Sequence, residues 1–465
     1  MNWRPAPIVG GAYADETRPW SVQDTVNWLP VRTERPGTRT DWMLRSPPGL
    51  AVHHTPVAAA PVRGAHNAEG AFLAVIGTSL VRVNGNGTTT ALGTIPGVQR
   101  VSMAHNQVAG GNQVAIANGT AGYVYSTATN ALVQITDDGF PGAKVFDFCD
   151  GFFVFVEPGG RFWGWSDLAA GTSYSTIDRA EAESQPDKIK TLIVSRREVL
   201  VFGERSCDVF ENVGTATGTF ERKNGAELDI GCASEFAVAR LDNTVYWLGH
   251  DGIVYRLAGY APQRVSTGPI EQAISKLDIS RAFATTWEDR EHKVFYLTFQ
   301  DGQTWGFDVA SQEWHRRASD GLSRWRLNTL TRWNRQWYGG DFSSGRIYRL
   351  DWNVMSEAEF PMVSERTTAV LHANGNPVPV NGLQLMFDTG QPAPASMVQP
   401  EPTVDLSYSK NGGNTWSGWK QRSLGATGEF VKRAVFNRCG LAKQWVFKVR
   451  VSSPVKRDLM GASIR

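Results

Sequence analysis

The chain has 465 residues, too many for one ordinary domain, and its 41% hydrophobic to 20% charged balance provides for a substantial core. A formal net charge of +2 gives no global attraction to nucleic acid or membranes. The four cysteines, Cys149, Cys207, Cys232 and Cys439, lie far apart without a C-x-x-C pair, which argues against a zinc site or disulfide framework and fits a reducing compartment.

The opening Met1-Asn-Trp-Arg-Pro-Ala-Pro7 lacks the apolar stretch of a secretory signal, and no run approaches the ~18 apolar residues of a membrane span. The protein is therefore expected to be made and kept in the cytosol, or to leave it only as part of a particle. Residues 1–60 are rich in Pro, Arg and Thr with weak periodicity, and read as an extended arm with one or two strands around Thr25–Val31. His53-His54 could suggest a metal, but neighbours in a strand point to opposite faces.

From about Phe72 the pattern changes to short apolar or alternating runs broken by Gly, Asn-Gly or Asp-Gly. Hairpin units begin near Phe72, Gln113, Val145, Ile193, Ala237, Ala282 and Thr329. Such spacing, mostly in the forties, predicts propeller blades, whereas a sandwich shows turns without a longer recurrence. The expected fold is all-β: a β-propeller over 61–355 with seven blades, six being the alternative count. Two helical connectors interrupt it. Arg179–Pro186 is expected to end before its proline, and Pro269–Leu277 places Ile270, Ile274 and Leu277 on one face.

Catalytic constellations are sparse. Glu288-Asp-Arg-Glu291 could pair carboxylates for glycoside hydrolysis, but it falls where a solvated blade turn is expected. Trp325-Arg-Leu-Asn-Thr-Leu-Thr-Arg-Trp-Asn-Arg-Gln-Trp337 could stack bases. Its commoner role is a blade whose tryptophans pack inward beneath arginines.

After about Asp351 the blade period stops, and residues 356–465 read as an independent β-sandwich around Val404–Tyr408, Phe430–Phe436 and Trp445–Val451. Tyr408-Ser-Lys-Asn-Gly-Gly-Asn-Thr-Trp416 resembles an Asp-box turn, a folding device of β hairpins. From Tyr408 to the end, twelve Lys and Arg face only Glu429 and Asp458. That surface suits either plain solvation or a meeting with an acidic partner or nucleic acid.

Short segments spread along the chain resemble the packaged-DNA stabilisation (tail hub, or nozzle) proteins of short-tailed bacteriophages. They are Ile8-Val-Gly-Gly-Ala-Tyr13, Val26-Asn-Trp-Leu-Pro30, Pro48-Gly-Leu50, Val101-Ser-Met-Ala-His-Asn106 and Ala182-Glu-Ser-Gln-Pro-Asp187. Asp242-Asn-Thr-Val-Tyr-Trp-Leu-Gly249, Trp305-Gly-Phe-Asp-Val-Ala-Ser-Gln-Glu-Trp314 and Ser453-Pro-Val455 complete the set, and their order carries the resemblance.

The resemblance implies a non-enzymatic virion protein of the tail, assembled in the host cytoplasm into a homohexameric ring below the portal-bound adaptor. Such a ring closes or extends the DNA exit channel, touches exiting DNA transiently and non-specifically, and anchors tailspikes or fibres and the tail needle. It implies no catalytic residue, cofactor or metal. Within this reading, Lys420, Arg422, Lys432 and Arg433 are expected to meet a ring neighbour or the adaptor. The rival reading is a carbohydrate-binding or sialidase-like propeller, although no F-R-I-P-like strand is present. A host scaffold propeller is disfavoured by the absence of WD dipeptides and kelch glycine pairs at blade positions.

Overall fold

A computed structural model describes residues 3–181, 187–215, 218–392 and 401–465. The repeating hairpins form antiparallel four-stranded sheets because apolar side chains alternate along short strands and most of the turns carry a Gly, Asn or Asp suited to positive φ. Blade 1 spans 62–94, blade 2 102–134, blade 3 145–181, blade 4 191–222, blade 5 238–264 and blade 6 283–317. Blade 7 takes three strands from 327–351 and its fourth, Gly49–His54, from the N-terminal region. The first strand of each blade lies beside that of the next, and Leu327–Trp333 closes the ring against Val62–Ala68. Seven blades therefore surround one shaft.

The seams between blades are the core. Middle strands such as Phe152–Val156 and Thr244–Leu248 are almost wholly buried, since both faces meet a neighbouring sheet. Aromatic rings fill the wedges: Trp163 of blade 3 packs 4.8 Å from Phe210 of blade 4, and Tyr246 of blade 5 stacks 5.7 Å from Phe295 of blade 6. The helix Gly268–Ile274 forms as expected, with Pro269 in its first turn, Ile270 and Ile274 buried and Leu277 packed against the same cluster.

The other expected helix is not seen in its described part. Arg179, Ala180 and Glu181 end the strand Ala170–Glu181, paired with Gly164, Trp163 and Phe162, while 182–186 lie outside the described residues. Cross-strand pairing wins over helix propensity there, and the Arg179 guanidinium lies 4.7 Å over the Phe162 ring.

The second unit is a sandwich, but not an independent one. One sheet joins Leu29–Arg32 and Trp42–Arg45 to Leu459–Ile464, Val378–Phe387 and Ala434–Ala442, with Arg4–Ala6 also on Leu459–Ile464. The other orders Val22–Val26, Ser364–Thr367, Gln444–Val451, Thr403–Ser409 and Lys420–Ser423, and runs on into blade 6 through the parallel pair Val26↔Arg316. The N-terminal Ile8, Trp28 and Leu44 share a core with Leu383, Phe436, Trp445 and Leu459. The region expected as an arm thus supplies strands to both units and crosses the boundary expected at residue 61. Phe430 to Arg433, expected in a strand, form a turn before Ala434–Ala442, with Phe430 71% and Val431 90% exposed. Three glycines, Gly425, Gly428 and Gly390, hold positive φ around that turn and prevent strand continuation.

The N-terminal segment is held by one side chain. Arg366, fully buried, donates to the carbonyls of Ile8 and Gly11 at 2.7 and 2.6 Å, and to Thr25 Oγ1 and Gln23 Oε1 at 2.8 Å. Burial pushes its guanidinium down to about 10, against the opposing pull of Asp24 and Glu313. Replacing Arg366 with Leu strands these acceptors, so a loss of roughly 3 kcal/mol is expected in urea unfolding, with early protease cleavage before Val26. An unchanged midpoint and cleavage pattern would show that the segment is held by its strands alone.

Candidate functional site at the propeller shaft and the basic sandwich face

Propeller geometry brings together residues that lie some forty positions apart in sequence. The shaft wall at mid-depth carries His66 from blade 1, His105 from blade 2, Asp147 from blade 3 and Arg240 from blade 5. His66 Nε2 and His105 Nδ1 lie 2.8 Å apart, so one ring donates to the other. Burial, then the nearby His105 and Arg240, pushes His66 down to about 3, and burial also lowers His105. Arg240 reaches past blade 4, donating to the Val194 carbonyl at 2.6 Å and pairing with Asp147 at 3.2 Å.

The mouth of the shaft is built by the turns joining first to second strands. These adopt positive φ at Glu69-Gly70, Asp150-Gly151, Arg196-Arg197, Asp242-Asn243 and Asn334-Arg335. Asp150, Arg196, Arg197, Arg240, Asp242 and Glu288 line a cavity of 870 Å³ there. Its charges are largely consumed internally: Arg197 pairs with Asp150 at 2.8 Å, Arg196 donates to the Asn243 carbonyl at 2.8 Å, and Lys293 pairs with Asp242. Two consecutive arginines at positive φ are a strained choice for a turn that favours Asn-Gly. What they gain is a staple from blade 4 to blades 3 and 5.

The residues singled out from sequence lie elsewhere. Lys420 and Arg422 sit on Lys420–Ser423, the edge strand of the second sandwich sheet. The Lys420 ammonium lies 4.8 Å over the Tyr408 ring, and Arg422 donates to the Val435 carbonyl at 3.0 Å. Lys432 pairs with Glu429 at 3.3 Å, and Arg433 is exposed. Trp419, 42% exposed, lies under the Arg450 guanidinium at 4.0 Å, and Lys448 covers Trp416 at 4.7 Å. Lys420 and Arg422 thus rim the core side of the sheet, in register with Leu406 and Val404, while Lys448 and Arg450 lie on its other side, opposite Ser407 and Asp405; charge along this edge keeps it from pairing with other chains.

The tryptophan-arginine segment is packing. Trp325 donates to Glu357 Oε1 at 3.0 Å, Trp333 to the Gly70 carbonyl at 2.7 Å and Trp337 to the Glu288 carbonyl at 2.7 Å, all between blades or at the junction. His53 and His54 contact the Asn84 and Gly87 carbonyls of blade 1 rather than a common point. Glu291 pairs with Arg45, while the Trp352 indole donates to Asp289 Oδ2 at 2.9 Å. The Asp-box-like segment turns at Gly412 and Gly413, with Asn411 Oδ1 accepting from the Thr415 amide at 2.9 Å.

Among the described residues, no three His, Cys, Asp or Glu side chains converge on a metal-sized site. The cysteines are buried and free, and burial raises the Cys149 thiol to about 12, far from a nucleophile's range. A buried His292–Asp308 pair at 2.6 Å was not foreseen. Its partners sit on two strands of one blade beneath Trp287 and Trp352, so it holds a hairpin.

Two family models cover nearly the whole chain. The bacteriophage P22 Gp10 β-propeller matches residues 5–355, and the bacteriophage P22 Gp10 β-sandwich matches residues 364–465. No curated protein matches the chain. Among solved structures, the computationally designed Ika8 protein is 13% identical at TM-score 0.39, covering 74% of this chain and 100% of its own. PorZ of Porphyromonas gingivalis is 11% identical at TM-score 0.41, covering 72% of this chain and 45% of its own. Virginiamycin B lyase from Staphylococcus aureus is 9% identical at TM-score 0.42, covering 66% and 94%. Such likenesses are too distant to bear on function.

Two outcomes are expected at the shaft. The double substitution Arg196→Asn with Arg197→Gly relieves two strained positions and loses the exposed Arg197–Asp150 ion pair and the exposed Arg196–Asn243 hydrogen bond, so the melting temperature is expected to rise by a few degrees; a fall would show that the staple outweighs the strain. His66 stays neutral down to about pH 3 when folded but takes a proton near its ordinary 6.5 when unfolded. Its contribution is thus complete above 6.5 and lost as pH falls towards 3. Between pH 6.5 and 4.5, His66→Gln is expected to show a shallower loss of stability than the unsubstituted chain in parallel urea titrations, and equal slopes would refute the burial of a neutral ring.

Proposed function

Because the chain belongs to the bacteriophage P22 Gp10 family, whose members are phage structural proteins, we propose that it is the tail hub of a short-tailed phage virion. The observation that carries this reading is the pair of consecutive matches, propeller then sandwich, over residues 5–355 and 364–465. In this role six copies form a ring below the portal-bound adaptor, close or extend the DNA exit channel, and anchor tailspikes or fibres and the needle. The part requires stiffness more than chemistry. Close-packed aromatic seams and strands that lace the two units together resist deformation, as a component loaded by packed DNA must. Contact with exiting DNA in this reading is transient and sequence-independent.

Ring closure calls for heterologous contacts in which one face meets a different face of the next copy. The basic sandwich face bearing Lys420, Arg422, Lys432 and Arg433 is assigned to the ring neighbour or adaptor. No helix among the described residues is long and apolar enough to cross a membrane.

The test is the mass of the purified 51.1 kDa chain, alone and with its cognate portal–adaptor complex. Six copies bound per complex are expected. A chain that ignores the complex overturns the hub reading. Reversing the charge at all four basic positions is expected to abolish attachment while leaving the melting curve intact, and attachment at unchanged salt sensitivity would remove that face from the interface.

A further inference from the structure

Three turns meet at one end of the sandwich around a cavity of 470 Å³. The turn after Leu371–His372 brings His372 and Gly375, and the Asp-box-like turn brings Lys410 and Asn411. The link from Ala434–Ala442 to Gln444–Val451 brings Lys443 and Gln444. The turns are pinned together: Leu371 and His372 pair with Trp445 and Gln444, Asn411 bridges to Gln444, and Gly412 packs against Pro19 and the Gln444 side chain too closely for a Cβ. His372, Lys410, Asn411 and Lys443 are exposed, so the cavity is open to solvent.

The lining holds cations and amides but no carboxylate. No Asp or Glu occurs in 366–387, 406–428 or 434–457, the stretches that build this end. On the other side of the sheet the cations are matched, Lys448 with Glu365 at 3.4 Å and Arg450 with Asp405 at 3.5 Å. Lys410, Lys443 and His372 make no ion pair among the described residues. The carboxylates of the adjoining N-terminal turn are engaged elsewhere, Asp15 on the Thr17 amide at 2.8 Å and Glu16 on Lys276 at 2.9 Å.

The Lys410 charge is also spare to its own turn. It stands where an Asp box carries its aspartate, while Ser409 and Asn411 accept from the amides of Gly413 and Thr415, both at 2.9 Å. The ammonium only approaches the Trp445 ring, at 5.5 Å. His372 Nδ1 accepts from the Asn374 amide at 3.4 Å, which leaves the proton of the neutral ring on Nε2 as a further donor.

We propose that this cavity seats a phosphate of a nucleic-acid backbone, held by Lys410 and Lys443 with His372 Nε2 and the Gln444 amide as neutral donors. The assignment rests on the tail-hub reading and deepens it by giving the sequence-independent DNA contact a place. Ammonium groups are point charges that follow spaced phosphates, without the planar fork with which arginine grips a carboxylate. Such contacts release counterions and read no base.

The experiment is fluorescence anisotropy of a dye-tagged, random-sequence DNA duplex titrated with the full chain at several salt concentrations. Affinity that falls linearly with salt on logarithmic axes is expected. In the double variant Lys410→Gln with Lys443→Gln that slope is expected to become shallower by about 1.8, at ~0.9 per phosphate neutralised. The melting curve is expected to stay unchanged, since both side chains are exposed. Arg332→Gln with Arg335→Gln, exposed on blade 7, removes the same charge and is expected to leave the slope as it was. No binding at about 50 mM salt, an unchanged slope in the lysine variant, or an equal change in the arginine variant overturns the site. Polyglutamate that competes as well as untagged duplex at equal charge assigns the cavity to acidic peptides and overturns the phosphate. Six copies on the portal–adaptor complex without DNA binding would sink this site and leave the hub reading standing.

Discussion

The joint between propeller and sandwich depends on burying guanidinium groups among main-chain carbonyls. Arg457 donates to the carbonyls of Met362 and Met355 at 2.5 and 2.7 Å, and Arg317 lies 4.5 Å over the Trp325 ring near the Pro48 carbonyl. With Arg366 these side chains are buried to within 1% exposure. Stripping water from an arginine is costly unless its donors find acceptors, and irregular crossover segments have carbonyls to spare because they make few ladder bonds. The cations and the crossovers therefore solve each other's problem, and burial holds the Arg317, Arg366 and Arg457 charges below their usual range without displacing them from their partners.

The consequence is one mechanical body from two folding patterns. Asn27, at φ 51°, donates to the carbonyls of both Ala318 and Val363 at 2.7 and 2.8 Å, so one residue ties blade 6 to the start of the sandwich. Immediately beyond it, Trp28 enters the sandwich core and its indole donates to the Arg457 carbonyl at 3.1 Å. A load applied to either unit passes through hydrogen-bonded strands rather than a flexible linker, in keeping with a component of a virion.

What was legible in the sequence was whatever acts locally. Hairpins such as Val145–Cys149 with Phe152–Val156 announce themselves by alternation and an Asp-Gly turn, and Pro269 marks its helix. What was illegible depends on partners far along the chain. Gly49–His54 pairs with Ile347–Asp351, and nothing near residue 50 signals a propeller strand. The Arg179 region carries good helix formers, yet the neighbouring strand claims it. The basic face could be seen because charge is read directly from composition, though not that Phe430 and Val431 project beside it. Arg100 is a lone arginine in a polar loop, and only ring closure reveals the Phe283 ring it faces.

The seventh blade also sets an order of events during synthesis. Gly49–His54 leaves the ribosome early, but its partner Ile347–Asp351 follows roughly 300 residues later, which at about 5–20 residues per second is on the order of 15–60 s. Throughout that interval the nascent chain is an open arc with a growing row of finished blades and an unclaimed N-terminal strand. The arc exposes edges at both ends, and only the last blade retires them together. The finished ring consequently has no terminus at which to fray, while the unfinished one is most vulnerable to mispairing just before it is complete.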